Sequence, residues 1–242
     1  MAQNVYDDEE FFAGYTRLRR AVLGLDGAPE WPAVRGLLPD LAGKRVIDLG
    51  CGFGWFCRWA REQGADHVTG MDISVNMLNR ARQDTDDEHI EYLVADLEEV
   101  ELEERAFDLA YSSLALHYVS DLARLVGTVQ RSLVPGGRFL FTIEHPIYMA
   151  PNQPGWAKDA AGRKSWPVNG YALEGARTTN WFKEGVIKYH RTLGTTLNTL
   201  IDTGLTIAHV EEWSPSARQV AELPSLADEL ERPLIAIVAA EL

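Results

Sequence analysis

Cysteine is almost missing from this chain: among 242 residues only Cys51 and Cys57 carry a thiol. Two thiols with no matching histidine set exclude a disulfide-stapled scaffold and a zinc site, so no metal is expected. Their plain reading is one small turn residue and one packing residue. Basic charge is scarce as well. Lys and Arg number 23 against 36 Asp and Glu, a net charge of −13, and no basic cluster is longer than Arg17-Leu18-Arg19-Arg20. A nucleic-acid partner calls for a basic face, so none is expected, and a small neutral or cationic molecule fits better. Long apolar runs are also lacking. Residues 234–240 form one of the longest, far short of the ~20 needed to cross a bilayer. Residues 1–10 are acidic, unlike a secretory leader. No membrane contact and a cytoplasmic location are the expectations. Internal repeats and low-complexity tracts are absent too.

What is present has ordinary globular proportions, 46% hydrophobic and 24% charged, and a length that suits one large α/β domain with an appended piece. The most informative stretch is Val46-Ile47-Asp48-Leu49-Gly50-Cys51-Gly52-Phe53-Gly54. An apolar strand breaks there into a turn with glycine at every second position, followed by a helical segment. Such a turn lets backbone N–H groups and a helix start approach a ligand closely. A dinucleotide site reads Gly-x-Gly-x-x-Gly; the spacing here differs, and Asp48 would repel a pyrophosphate. A carboxylate at that point instead accepts hydrogen bonds from an ammonium group. The pattern favours a nucleotide-like cofactor with a cationic amino-acid end.

With these residues the chain resembles the class I S-adenosylmethionine-dependent methyltransferases, in particular their small-molecule (type 11) branch. Four further features agree. Val68-Thr69-Gly70-Met71-Asp72 reads as a second strand ending in an acid 24 residues after Asp48, able to take both ribose hydroxyls of S-adenosyl-L-methionine. Asp96 closes a third strand over residues 90–95, where family members contact the adenine amino group. Residues 107–117 look like the fourth strand and the loop over the reacting methyl. Pro135-Gly136-Gly137 matches the turn into the fifth strand. The resemblance implies a cofactor set of Tyr15, Arg20, Asp48, Gly50, Cys51, Gly52, Gly54, Asp72, Ile73, Asp96, Leu97, Ser113 and Leu114. Tyr15 and Arg20 enter because a helix before the first strand closes over the cofactor in similar enzymes. An equal reading of residues 6–20 is a surface helix docked by Phe11, Phe12 and Tyr15.

The remaining periodicities fill in the plan. Leu122, Leu125, Val126, Val129 and Leu133 fall at helical spacing behind Ser120, a good N-cap; Phe56, Trp59 and Ala60 mark another helix, and Ser74 caps a third. Strands alternating with such helices imply a parallel sheet with right-handed crossovers. The expected fold is α/β: a doubly wound, seven-stranded, mostly parallel, Rossmann-like sheet whose last strand is antiparallel, with a lid insertion after the fifth strand. The expected division is a helical cap over residues 1–40, a cofactor core over 41–145, an aromatic substrate lid over 146–191, and a C-terminal helix and two strands over 192–242. In the lid stretch, Thr178 to Phe182 and Val186 to Arg191 read as a hairpin turning at Lys183-Glu184-Gly185. Its Tyr148, Trp156, Trp166, Tyr171, Trp181, Phe182 and Tyr189 either wall an acceptor pocket or pack a small core of their own.

Methyl transfer from a sulfonium is an in-line displacement that asks mainly for alignment. An oxygen or carbon acceptor also needs a base, most often histidine. His145, His117 and His190 sit where the cofactor edge is expected and are the catalytic candidates, His145 first with Glu144 beside it. Each reads equally as a hydrogen-bonded histidine that shapes the pocket. His67, His89 and His209 fall elsewhere. Arg191 either binds an acidic group on the substrate or pairs with an exposed acid. Ser112-Ser113-Leu114-Ala115 lacks the Asn/Asp-Pro-Pro-aromatic motif of base and glutamine methylases, there is no Pro-Cys pair, and no acids stand where a catechol-type metal site needs them. The expectation is metal-independent methyl transfer to a small molecule. The alternatives are a non-catalytic S-adenosylmethionine-binding sensor or partner subunit and, less well supported, a nicotinamide oxidoreductase. Neither the acceptor atom nor a choice between monomer and homodimer follows from the residues.

Overall fold

In the computed structural model, which describes residues 3–242, the N-terminal region folds as short helices α1 (Glu9–Tyr15), α2 (Arg19–Val22) and α3 (Trp31–Gly36). Then β1 (Arg45–Leu49), α4 (Trp55–Glu62), β2 (His67–Asp72), α5 (Val75–Gln83), β3 (Ile90–Val94), β4 (Phe107–Ser113), α6 (Leu122–Ser132) and β5 (Leu133–Glu144) follow in turn. After β5 come α7 (Pro146–Met149), the two-residue strands β6 (Ala157–Lys158) and β7 (Lys164–Ser165), and the hairpin of β8 (Gly175–Trp181) and β9 (Lys183–His190). The chain continues through α8 (Leu193–Asp202), β10 (Thr206–Trp213), α9 (Ala217–Glu222) and β11 (Ile235–Glu241).

Seven strands form one sheet in the order β10-β11-β5-β4-β1-β2-β3, parallel except for β11, which runs antiparallel to β5 and β10. The doubly wound sheet with its antiparallel last strand is thus as the sequence implies. Its strands are apolar on both faces because helices cover both. On β1, Val46 enters a cluster with Trp31, Phe56 and Leu78, while Ile47 and Leu49 enter another with Leu125, Val129 and Phe141. Burying one such side chain contributes roughly 1.5–3 kcal/mol, so the centre of the sheet is a firm platform for the loops at its edge. Among the described residues no helix is long and apolar enough to cross a membrane.

Three local expectations shift. Asp121, not Ser120, caps α6, accepting from the Arg124 N–H at 3.0 Å; a carboxylate there also meets the helix dipole. The β8–β9 hairpin turns at Phe182, at φ 57°, with Trp181 paired to Lys183. Gly185, at φ 82°, takes up the extra β9 residue where the register slips, which is the work of a bulge glycine. The N-terminal stretch is not one helix over residues 6–20 but a turn at Val5–Asp7 followed by α1 and α2.

Candidate active site

A cavity of about 320 Å³ opens at the carboxyl ends of β1, β2, β3 and β4, where the strand order reverses and such sheets hold ligands. Gly50 turns at φ 83°, with its N–H on the Met71 carbonyl at 2.8 Å. A Cβ there would stand 2.4 Å from the Ala115 Cβ, so the β1 and β4 loops interlock at this glycine. The Gly52 N–H donates to Asp72 Oδ2 and the Ser74 N–H to Asp72 Oδ1, each at 2.9 Å. Asp72 is pushed up to about 6 by burial, opposed by those backbone donors. Each of its oxygens keeps a lone pair for a further donor. Ile73, Met77 and Leu97 give the cavity apolar walls beside Asp96.

On the β4 side, Ser113 and Leu114 line the cavity. Leu114 has φ 54°, held by its N–H on the Thr142 carbonyl at 2.9 Å. A left-handed backbone at a leucine costs about 1–2 kcal/mol and points to a functional constraint. Tyr15 and Arg20 reach the cavity from the N-terminal region. Arg20 pairs with Glu30 at 2.9 Å, and the second Glu30 oxygen is buried without a partner among the described residues.

A smaller adjoining pocket of about 90 Å³ is lined by Arg20, Asp48, Cys51 and Ser113. Asp48 is 2% exposed, and burial pushes it up to about 8, opposed by the Cys57 thiol, which donates to it at 3.5 Å. Gly54 lines neither space: at φ 69° it packs against β3, where a Cβ would stand 2.1 Å from the Tyr92 hydroxyl. Twelve of the thirteen sequence-derived cofactor positions therefore gather at two connected spaces, with Gly54 outside.

The histidines separate. His117 lines the cavity. Burial, with Lys188 and Arg191 nearby, holds it well below its usual range, and its Nδ1 accepts from the Glu144 N–H at 3.4 Å. A neutral ring using Nδ1 as acceptor keeps its proton on Nε2. His145 is 1% exposed and away from the cavity; its Nδ1 caps α7 by accepting from Ile147 N–H, and its Nε2 bonds Glu212 at 2.8 Å. His190 is buried against the Tyr171 carbonyl at 2.8 Å, its Nδ1 without a partner among the described residues. Arg191 donates to the carbonyls of Val119 and Ser120.

Of the seven aromatics in residues 146–191, Tyr148 and Trp181 face the cavity. Tyr148, Trp156 and Trp166 surround the Arg232 guanidinium at 4.7, 5.7 and 4.2 Å from their ring centres. Tyr6, Tyr118 and Lys188 were not foreseen. Tyr6 and Tyr118 join through their hydroxyls at 3.2 Å. Lys188 is 4% exposed, bonds Glu144 at 2.5 Å and lies over Trp181. Its signal was strand alternation, since Lys188 shares the inward face of β9 with Val186 and His190.

The family model described as "Methyltransferase domain" matches residues 47–141. A solved S-adenosylmethionine-dependent methyltransferase from Mesorhizobium loti is 57% identical with a TM-score of 0.88, over 90% of this chain and 100% of that one. A putative one from Listeria monocytogenes is 38% identical with a TM-score of 0.81, over 88% and 98%. Malonyl-[acyl-carrier protein] O-methyltransferase of Serratia marcescens is 40% identical over 100 residues, which is 41% of this chain and 38% of that protein.

Proposed function

This chain belongs to the S-adenosylmethionine-dependent methyltransferases, and from that premise we propose that it methylates a small-molecule acceptor without a metal. The observation that carries the reading is a single cavity lined at one end by Gly50, Gly52, Asp72 and Asp96 and at the other by His117, Tyr118, Glu144 and Trp181. The first end fits S-adenosyl-L-methionine: Asp72 offers two lone pairs to vicinal hydroxyls, and Asp96, with Ile73, Met77 and Leu97, suits a purine ring. Asp48 and Arg20 lie where an ammonium and a carboxylate would be met. Gly50, Cys51 and Gly52 give those groups room, Tyr15 covers them, and Ser113 and Leu114 form the floor beneath the acceptor.

When bound, the cofactor supplies an electrophilic methyl group on a cationic sulfur. The protein's share is to hold two partners in line and exclude water. Residues 1–40 act as a cap over the core of 41–145, and 146–191 act as the acceptor's lid through Tyr148 and Trp181; 192–242 complete the sheet. His117 serves as a hydrogen-bond donor through Nε2–H. His145 and His190 serve the fold, their ring nitrogens bonded to α7, Glu212 and Tyr171.

Calorimetric titration with S-adenosyl-L-methionine, S-adenosylhomocysteine and NADH tests this. Micromolar affinity for the first two, none for NADH, and transfer of labelled methyl to a small acceptor are expected. Binding of NADH alone would overturn it.

A further inference from the structure

We propose that the methyl acceptor is a carboxylic acid, taken in its ionised form by a second cavity of about 300 Å³ that adjoins the first. The proposal rests on the methyltransferase reading and narrows it. Glu144, Tyr148 and Trp181 line both cavities and form the boundary between them. Among the described residues Lys188 is the one cation and Glu144 the one acid lining the second cavity; its other walls are uncharged, with polar side chains such as Asn152, Gln153 and Asn180 among prolines.

A neutral hydroxyl or an ammonium group must give up a proton to take a methyl; at the boundary only a carboxylate oxygen of Glu144 could receive it, and no histidine is placed to do so. Glu144 is engaged with Lys188 at 2.5 Å. His117 spends its Nδ1 lone pair on the Glu144 N–H and turns a donor toward the cavity. His145 and His190 lie outside both cavities. A carboxylic acid needs no base, because it is ionised well below neutral pH.

Charge balance points the same way. Lys188 has three N–H donors and Glu144 takes one, so a second carboxylate has donors to meet. With an ionised acid bound, two carboxylates at the boundary, Glu144 and the acceptor, face two cations, Lys188 and the sulfonium, while Arg20, Asp72 and Asp96 line the cofactor end. An ammonium acceptor would instead bring a third cation to that boundary, where Glu144 is the one acid, a costly state beside aromatic walls. The overall charge of −13 pointed to a neutral or cationic acceptor; the local balance at Lys188 replaces that expectation. In the transfer, a carboxylate oxygen lone pair forms the new bond to the methyl carbon. The carbon–sulfur bond breaks with its electron pair left on sulfur. No proton is taken up or released, and a neutral ester and a thioether result.

The test incubates the full chain with methyl-labelled S-adenosyl-L-methionine and two matched sets of probes: octanoate, octylamine and octanol, then trans-cinnamate, cinnamylamine and p-cresol. Label is expected in the acids alone, and mild alkali should release it as volatile methanol, as esters do and amines and ethers do not. Lys188→Met should raise KM for the acid by about tenfold or more, the loss of a charge-assisted contact, with kcat and cofactor affinity little changed. Since Lys188→Met strands Glu144, the paired Lys188→Met, Glu144→Gln variant gives the same readout with no unpaired charge. Lys188→Arg should recover part of the affinity. Alkali-stable label in amines, octanol or p-cresol, no label in either acid while cofactor binds, or an unchanged KM in both variants overturns the acid assignment and leaves the methyltransferase reading standing. Failure of the unaltered chain to bind cofactor removes that reading instead.

Discussion

Asp72 is held by two backbone N–H groups from two different loops, so its carboxylate is aimed before any ligand arrives. Asp72→Ala should weaken S-adenosyl-L-methionine binding by about 1.5–3 kcal/mol, the usual worth of hydrogen bonds to a charged group. Calorimetry reads this directly, and an unchanged Kd would take Asp72 out of the site. Leu114 presents a different kind of constraint, a backbone at φ 54° that leucine pays for and Thr142 enforces. Asparagine tolerates that region and β-branched residues do not. Leu114→Asn should therefore exceed Leu114→Val in stability by about 1 kcal/mol. Urea denaturation of the two variants decides it, equal midpoints denying the strain.

At the scale of elements, the start of α5 is capped twice. Ser74 caps it from within, accepting from the Met77 N–H at 3.1 Å. Asp7, from the N-terminal segment, accepts from Ser74 Oγ at 2.6 Å, the Asn76 N–H at 3.0 Å and the Val75 N–H at 3.2 Å. That segment also reaches the hairpin, where Gln3 bonds the Ile187 N–H at 2.9 Å. Asp7→Ala should cost about 1 kcal/mol, as loss of a helix cap does, and speed cofactor release. Hydrogen exchange is expected to rise at residues 75 and 76 without cofactor; protection as in the parent chain would deny the clasp. The elements legible in the sequence were those fixed locally: β1 and its glycine turn, β2 ending at Asp72, the Ser74 cap and the apolar spacing of α6. Those decided by distant partners were not. The break between α1 and α2 falls where Tyr15, Leu18 and Arg20 line the cavity, and β6 and β7 are only two residues each. Lys188 is not legible because a lysine is usually solvated; Glu144 and the rings of Trp181 and Tyr118, all on other segments of the chain, make its burial tolerable.

For the whole molecule, burial of acids and of histidines sets the response to pH. Asp48 at about 8 and Asp72 at about 6 both lie above their ordinary value. The folded chain therefore keeps protons that the unfolded chain gives up. Their contribution is full below the ordinary carboxylate range and is lost as pH rises through 6 and then 8, by at most about 1.4 kcal/mol per pH unit for each proton. Unfolding by urea between pH 7 and 8, above the range in which the buried His117, His145 and His190 take up protons on unfolding, should show stability falling in the cofactor-free protein, and Asp48→Asn should flatten that slope. A rise over this range, or an unaltered slope in the variant, counts against a protonated Asp48. Saturating cofactor adds stability by mass action, about 2.7 kcal/mol at a hundredfold excess over Kd. The contact of Gly50 with Ala115 bears on how such a chain can drift over generations. A side chain at position 50 is admissible only in a lineage that has already emptied position 115, and even then the left-handed turn taxes it. The order of substitutions is thereby constrained, and two loops far apart in the gene inherit their changes as a pair.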